Sequence, residues 1–105
     1  NVDFSNLKDG TYIGSYIGTE SNLRDTTVEV VISSGSVSSI RILKGAIDDA
    51  GAAQEIGKGK TAYDLFDAVL SKKSMQVDLI SGATLTSKTH LKALEQALLQ
   101  AQHEE

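Results

Sequence analysis

One ten-residue stretch near the C-terminal end of the chain contains the residue types that suit cofactor chemistry. It reads Asp78-Leu79-Ile80-Ser81-Gly82-Ala83-Thr84-Leu85-Thr86-Ser87. The hydroxyl groups of Thr84, Thr86 and Ser87 lie just ahead of, or at, the start of a predicted amphipathic helix. A helix N-terminus has unpaired N–H groups and the positive end of the helix dipole, so this stretch suits a phosphate group. Gly82 allows a turn and a close approach that a Cβ would block.

A resemblance to a known family rests on this stretch. The pattern Asp78-x-x-Ser81-Gly82-Ala83-Thr84 resembles the sequence that a bacterial flavin transferase modifies. The chain from Asp9-Gly10-Thr11-Tyr12 to the closing helix is similar to the FMN-binding domain of peripheral subunits in sodium-pumping NADH:quinone reductases and Rnf complexes. Such domains also occur in fumarate-type reductases and in cell-surface flavoproteins. The resemblance implies FMN as the cofactor, esterified through its phosphate to Thr84, with the transferase recognition sequence completed by Asp78, Ser81, Gly82 and Ala83.

Further contacts with the cofactor are expected from neighbouring residues. Leu85, Thr86 and Lys88 lie close enough along the chain to contact the ribityl phosphate or the ring edge. Lys88 could also neutralise the phosphate, although an exposed helical lysine is the simpler explanation. In the first predicted strand, Tyr16 shares a face with glycines, which would let a flat ring approach. Tyrosines that pack across a sheet are the structural alternative.

The same stretch is also compatible with a plain strand–turn–helix junction in which Ser81 or Thr86 only caps the helix, because Ser and Thr are common caps. Three functional hypotheses therefore remain. The chain is a covalent FMN carrier that relays electrons outside the cytoplasm, the flavin domain of a larger reductase, or a non-catalytic interaction module with Thr84 unmodified. The first is favoured. Its expected partners are a flavin transferase and redox partner proteins or a quinone-linked reductase, with an anchor in a segment that this chain lacks.

Composition limits the other possibilities. The 105 residues suit one small domain, with residues 1–9 and 102–105 as linker ends. The net charge of −4 and the lack of a basic stripe argue against nucleic acid as a partner. No apolar run approaches the ~20 residues that span a bilayer. The chain has no cysteine, and its two histidines, His90 and His103, are predicted at the surface without a metal. No catalytic side chain is predicted, so the chain is expected to be a redox carrier rather than a self-sufficient enzyme.

The hydrophobic pattern predicts an α+β fold in which two helices pack on one face of an antiparallel meander. Three longer strands are predicted at 10–18, 26–33 and 37–44, with a polar connection at 20–25 and a hairpin turn at Gly35. A short strand at 74–80 leads to the Ser81-Gly82 turn. The helices are predicted at 61–71, where Thr61 and Asp64 form a capping box, and at 87–101. The segment 45–60 is least defined, with a possible short helix after Asp48.

Overall fold

The fold is built on a meander of three antiparallel strands. A computed structural model describes residues 1–18 and 25–103, so the predicted polar connection at 20–25 lies, except for Asp25, outside the described residues. The strands β1 (Gly10–Tyr16), β2 (Thr26–Ser33) and β3 (Ser36–Lys44) pair in the order β1-β2-β3. A two-stranded ribbon, β4 (Glu55–Gly57) and β5 (Lys60–Thr61), precedes helix α1 (Ala62–Lys72), and α2 (Thr84–Gln100) follows. The predicted α+β fold is confirmed.

The inner face of the sheet is supplied mainly by the central strand. Val28, Val30 and Ile32 alternate along β2 and are 0–2% exposed, as the period-two pattern predicts. The β2–β3 hairpin turns through Ser34 and Gly35, which have φ values of 54° and 77°. Two successive residues with positive φ are typical of the tight turns that match the twist of paired strands. The predicted turn at Gly35 is therefore confirmed.

Helix α1 begins with the predicted capping box. The Thr61 hydroxyl caps the start of the helix, and the Thr61 N–H donates to Asp64 Oδ2 at 2.8 Å. Phe66 is 1% exposed, and it meets Tyr63 edge to face at 5.6 Å between ring centroids. The Tyr63 hydroxyl accepts a hydrogen bond from the Ile42 N–H at 2.9 Å. This contact fixes α1 against β3.

Helix α2 lies so close to β1 that a side chain would not fit between them. Gly14 is buried, and a Cβ added there would be 2.1 Å from the Ala93 carbonyl oxygen and 2.5 Å from the Ala97 backbone nitrogen. The Gln100 side chain donates to the Ile13 carbonyl at 2.7 Å, beside this contact. The close approach that glycine permits in β1 is therefore to a helix. The prediction that the glycines of β1 let a flat ring approach the strand is wrong at Gly14, because helix α2 occupies that space.

Three local predictions are also wrong. Residues 74–80 form no strand: the Val77 N–H donates to Met75 O within a tight turn, and no strand pairs with the segment. No helix follows Asp48, because its carboxylate accepts the Ala50 and Ala52 N–H groups and closes a turn, while Gly51 has a φ of 86°. Helix α2 begins at Thr84 instead of residue 87.

The two ends of the described chain pack on the domain. Leu7 is 5% exposed and forms an antiparallel bridge with Gln102. The Gln102 side chain accepts from the Asp3 N–H at 2.7 Å and donates to the Asn6 carbonyl at 3.1 Å. The segment 1–9 therefore contributes to the core through Leu7. It stays a prediction that this segment is the end of a linker. In residues 1–18 and 25–103, no helix is long and apolar enough to cross a membrane.

The contact at Gly14 leads to a stability prediction. Gly14→Ala is expected to lower the free energy of unfolding by about 1–3 kcal/mol, the usual effect of overpacking, because the added Cβ collides with α2 backbone atoms that cannot rotate away. Urea unfolding followed by circular dichroism measures the change. The control is Ser15→Ala, the adjacent exposed position on β1, for which an effect within about 0.5 kcal/mol is expected. Equal effects at both positions would contradict the close packing of β1 on α2.

Candidate functional site

The Ser81-Gly82 turn joins the segment 76–80 to α2. The Ala83 N–H donates to the Ile80 carbonyl at 2.9 Å and closes the turn. Gly82 has a φ of 82°, a conformation that L side chains rarely adopt, and nothing lies within 4 Å of the position a Cβ would take. Glycine at this position is therefore explained by the backbone conformation, and the surface of the turn stays open.

Thr84 is the first residue of α2, and its side chain is exposed. The N-cap position is Ala83, which makes no side-chain hydrogen bond to the helix. Within the described part of the chain, the N–H groups of Thr84, Leu85 and Thr86 have no acceptor. Serine or threonine capping, the structural alternative for this sequence, is therefore not what the structure shows. An exposed hydroxyl instead stands beside unpaired N–H groups and the positive end of a 17-residue helix.

The residues of this stretch divide into buried anchors and exposed positions. Ile80 and Ala83 are 6% and 7% exposed, and Ser87 is fully buried. The Ser87 hydroxyl accepts from the Ile80 N–H at 3.2 Å and so ties the incoming segment to the helix. In contrast, the side chains of Asp78, Ser81 and Thr84 are exposed. The anchors hold the turn in place while the polar side chains remain accessible.

Two cavities flank the turn. The larger, of about 400 Å³, lies between the β4–β5 ribbon, α1 and the segment 77–81. The smaller, of about 210 Å³, is lined by Gly45, Ala46, Gln54, Ile56, Thr86, Thr89 and His90. The larger cavity falls within the roughly 300–1,000 Å³ range of small-molecule sites. Both cavities reach residues of the 78–87 stretch, which makes this junction the candidate functional site.

The other expected cofactor residues are spread around the junction. Leu85, next to the candidate attachment point, is 54% exposed. Lys88 is exposed one turn further along α2, and half-buried Thr86 lines the smaller cavity. Tyr16 is half-buried against the core and pairs with Thr26 at the end of β1. Their contacts with a cofactor stay predictions, as do those of Asp78, Ser81, Gly82, Ala83 and Thr84.

His90 is part of the core, so its predicted surface position is wrong. It is 2% exposed, its Nε2 accepts from the Ala46 N–H at 3.0 Å, and its Nδ1 lies 2.8 Å from the Thr86 carbonyl oxygen. These two partners require a neutral ring with the proton on Nδ1. The spacing of residues in the sequence does indicate this burial. His90 follows Ser87 by three residues and precedes Leu94 by four, which places it on the buried stripe of α2. His103 is exposed, as predicted.

A buried polar cluster surrounds this histidine. The Thr26 hydroxyl donates to Thr89 Oγ1 at 3.1 Å, and the Thr89 hydroxyl also reaches the Thr86 carbonyl at 3.0 Å. Burial lowers the pKa of His90 below its ordinary value, and the hydrogen bond to the Thr86 carbonyl opposes that effect. The cluster joins β2, the loop after β3 and the first turns of α2. Among residues 1–18 and 25–103, no three His, Asp or Glu side chains lie close enough together to hold a metal ion.

Comparison with known proteins gives a family match and a structural match. The model of the family described as FMN-binding domain matches residues 24–99, which include the junction and both helices up to Leu99. The crystal structure of the CPE2226 protein from Clostridium perfringens is similar, with a TM-score of 0.64 and 21% sequence identity. The similarity covers 90% of this chain and 88% of that chain. At this identity the similarity supports the fold alone. The comparison with curated proteins gives no match.

The burial of His90 leads to a prediction about pH. The folded chain has the lower pKa for this group, so the unfolded chain binds more protons as the pH falls below about 6.5. The free energy of unfolding is therefore expected to decrease between pH 7.5 and pH 5, because protonation removes the acceptor of the Ala46 N–H. Urea unfolding at several pH values measures the slope. The His90→Gln variant is expected to have a smaller slope, since its side chain does not titrate.

The matched control is His103→Gln, which removes an exposed histidine and leaves the buried cluster intact. The free energy of unfolding of His103→Gln is expected to depend on pH as that of the unmodified chain does. If His90→Gln has this same pH dependence, the assignment of a neutral buried imidazole is contradicted.

Proposed function

Because this chain belongs to the FMN-binding domain family and its cofactor is FMN, we propose that it carries FMN as a phosphate ester of Thr84 and relays electrons outside the cytoplasm. The observation that carries the proposal is the exposed Thr84 hydroxyl at the first residue of a helix whose N-terminus has no side-chain cap. A modifying enzyme can reach this hydroxyl, and the helix end can receive the anion that modification introduces.

The charge distribution at the helix end fits a phosphate diester. Three N–H groups without an acceptor among the described residues lie in the first turn, and an anion at this end of a helix is stabilised by about 0.3–2 kcal/mol. Lys88 follows Thr84 by four residues and so lies on the same helix face. Its exposed ammonium group can neutralise the remaining phosphate charge. The residues present therefore fit the phosphate end of FMN.

The surroundings also suit the flat ring of the cofactor. Leu85 exposes 54% of its surface beside Thr84, and covering an apolar side chain with a ring is favourable. When bound, FMN supplies the electron-transfer chemistry, which a chain without cysteine does not provide through thiols. The task left to this chain is to hold the flavin, to orient it and to keep it accessible to redox partner proteins or to a quinone-linked reductase.

Attachment requires an activated donor and a flavin transferase. The Thr84 oxygen forms the new bond to the phosphorus of the flavin phosphate, and the bond from that phosphorus to the bridging oxygen of a flavin dinucleotide breaks. A nucleoside monophosphate leaves, and the hydroxyl proton passes to solvent. No electrons are transferred in this step, so no oxidant or reductant is needed. The net mass added to the chain is that of FMN less one water.

The proposal predicts that Thr84→Ala abolishes covalent flavin but leaves the fold intact, because the exposed hydroxyl makes no hydrogen bond with the described residues. The chain would be produced with a flavin transferase in an exported compartment. Intact mass and the absorption spectrum, followed by peptide mapping, report attachment. The unmodified sequence is expected to be yellow and heavier by one FMN less water, with the added mass on the peptide that contains Thr84.

Thr11→Ala is the matched control, since it removes an exposed threonine hydroxyl on β1 with the same change in protein mass. It is expected to gain the flavin in full. Flavin retained by Thr84→Ala after denaturation would place the attachment at another residue. A colourless chain of unmodified mass from the same cells would favour a non-catalytic interaction module instead.

A further inference from the structure

The exposed part of the transferase recognition sequence is small. Of its seven positions, Ile80 and Ala83 are buried and Leu79 is half-buried. An enzyme that approaches the folded chain therefore meets mainly Asp78, Ser81 and Thr84 with the Gly82 backbone. A specific protein interface covers about 800 Å² on each partner, far more than these few side chains offer. The enzyme that loads the flavin needs contacts outside this sequence.

The larger cavity begins at the recognition sequence itself. Asp78 and Ser81 lie on one of its walls, and the opposite wall comes from the β4–β5 ribbon and α1. Leu65, Val77 and Ile80 give it an apolar floor. A protein segment that contacts Ser81 on this side therefore reaches the cavity directly. We call this feature the 58–81 groove, bounded by Lys58, Lys60, Lys72 and the segment 77–81.

The groove is lined by three lysines and by two aspartates, Asp64 and Asp78, so positive charge is in excess there by one in an acidic protein. Lys58, Lys60 and Lys72 are exposed around it, whereas the whole chain has a net charge of −4. None of the three ammonium groups forms an ion pair with a residue that the structure describes. Lys72 Nζ donates only to the Gln76 carbonyl, at 3.1 Å. The charge complement of this rim is an acidic segment.

The hydrogen-bonding groups along the groove favour an acidic polypeptide over a nucleic acid as the bound partner. In the described chain the N–H groups of Asp78 and Leu79 have no acceptor, and their carbonyl oxygens have no donor. A second peptide backbone offers both donors and acceptors and can pair with such an edge. A nucleic acid backbone offers acceptors without matching donors, so it cannot satisfy the carbonyl oxygens of this edge.

We infer that the 58–81 groove is a docking site for the flavin-loading enzyme and that it binds an acidic, extended segment of that enzyme. The inference rests on the function proposed for Thr84. It adds a recognition surface outside the seven-residue sequence, placed on the β4–β5 turn, β5 and α1. Substitutions in the groove should therefore weaken capture of the chain by the enzyme, and leave the transfer to Thr84 unchanged once the chain is bound.

The test is the steady-state kinetics of flavin loading, with purified flavin transferase, flavin adenine dinucleotide and the whole 105-residue chain as substrate. Lys58→Gln with Lys60→Gln is expected to raise KM about three- to tenfold at low salt and to leave kcat unchanged, as expected for loss of exposed charge contacts. For the unmodified chain, KM is expected to rise with ionic strength. Circular dichroism verifies that each variant is folded.

The control is Lys8→Gln with Lys92→Gln, which removes the same charge from two exposed positions outside the groove. Equal KM values for the groove variant and this control would overturn the inference, and so would a KM that does not change with salt. In both cases flavin would still reach Thr84, so the proposed function would stand. An unmodified chain that receives no flavin at all would overturn the proposed function and the inference with it.

Discussion

The burial of one face of α2 against the sheet is the constraint on which the rest of the structure depends. Ala93, Leu94, Ala97 and Leu98 are fully buried, and Gly14 lets the helix backbone lie directly on β1. Because a helix is rigid, fixing its middle also fixes the direction of its first turn. The Ile80–Ser87 hydrogen bond then sets where the incoming segment must meet that turn. Core packing thus determines where Thr84 stands, although Thr84 is itself outside the core.

The polar cluster around His90 extends this constraint to the loop after β3. The imidazole bonds to the Ala46 N–H on one side and to the Thr86 carbonyl on the other, so it holds the loop at a fixed position beside the first turns of α2. Gly45 is required there, because an added Cβ would lie 2.6 Å from His90 Nε2. Buried polar groups that are fully paired specify one arrangement. The smaller cavity owes its shape to this pairing.

The sequence predicted those parts of the fold and site that depend on local patterns. Strand β2 alternates cleanly, and the capping box from Thr61 to Asp64 is a short-range signal; both were confirmed. The apolar residues of the segment 74–80 predict a strand, but in the described chain this segment pairs with no strand of either sheet. The pattern from Asp78 to Thr84 could be found because its residues are contiguous in the chain. The two cavities and the partners of His90 could not, because their walls come from segments that are distant in the chain.

Tertiary packing also explains how α2 can leave its N-terminus uncapped. A good capping side chain is worth about 0.5–2 kcal/mol, and alanine at the N-cap position provides none of it. Each fully buried leucine, such as Leu94 or Leu98, contributes about 1.5–3 kcal/mol. The buried face therefore more than offsets the missing cap, and the helix does not need its first N–H groups for stability. Those groups are free to bind an anion because the core stabilises the helix.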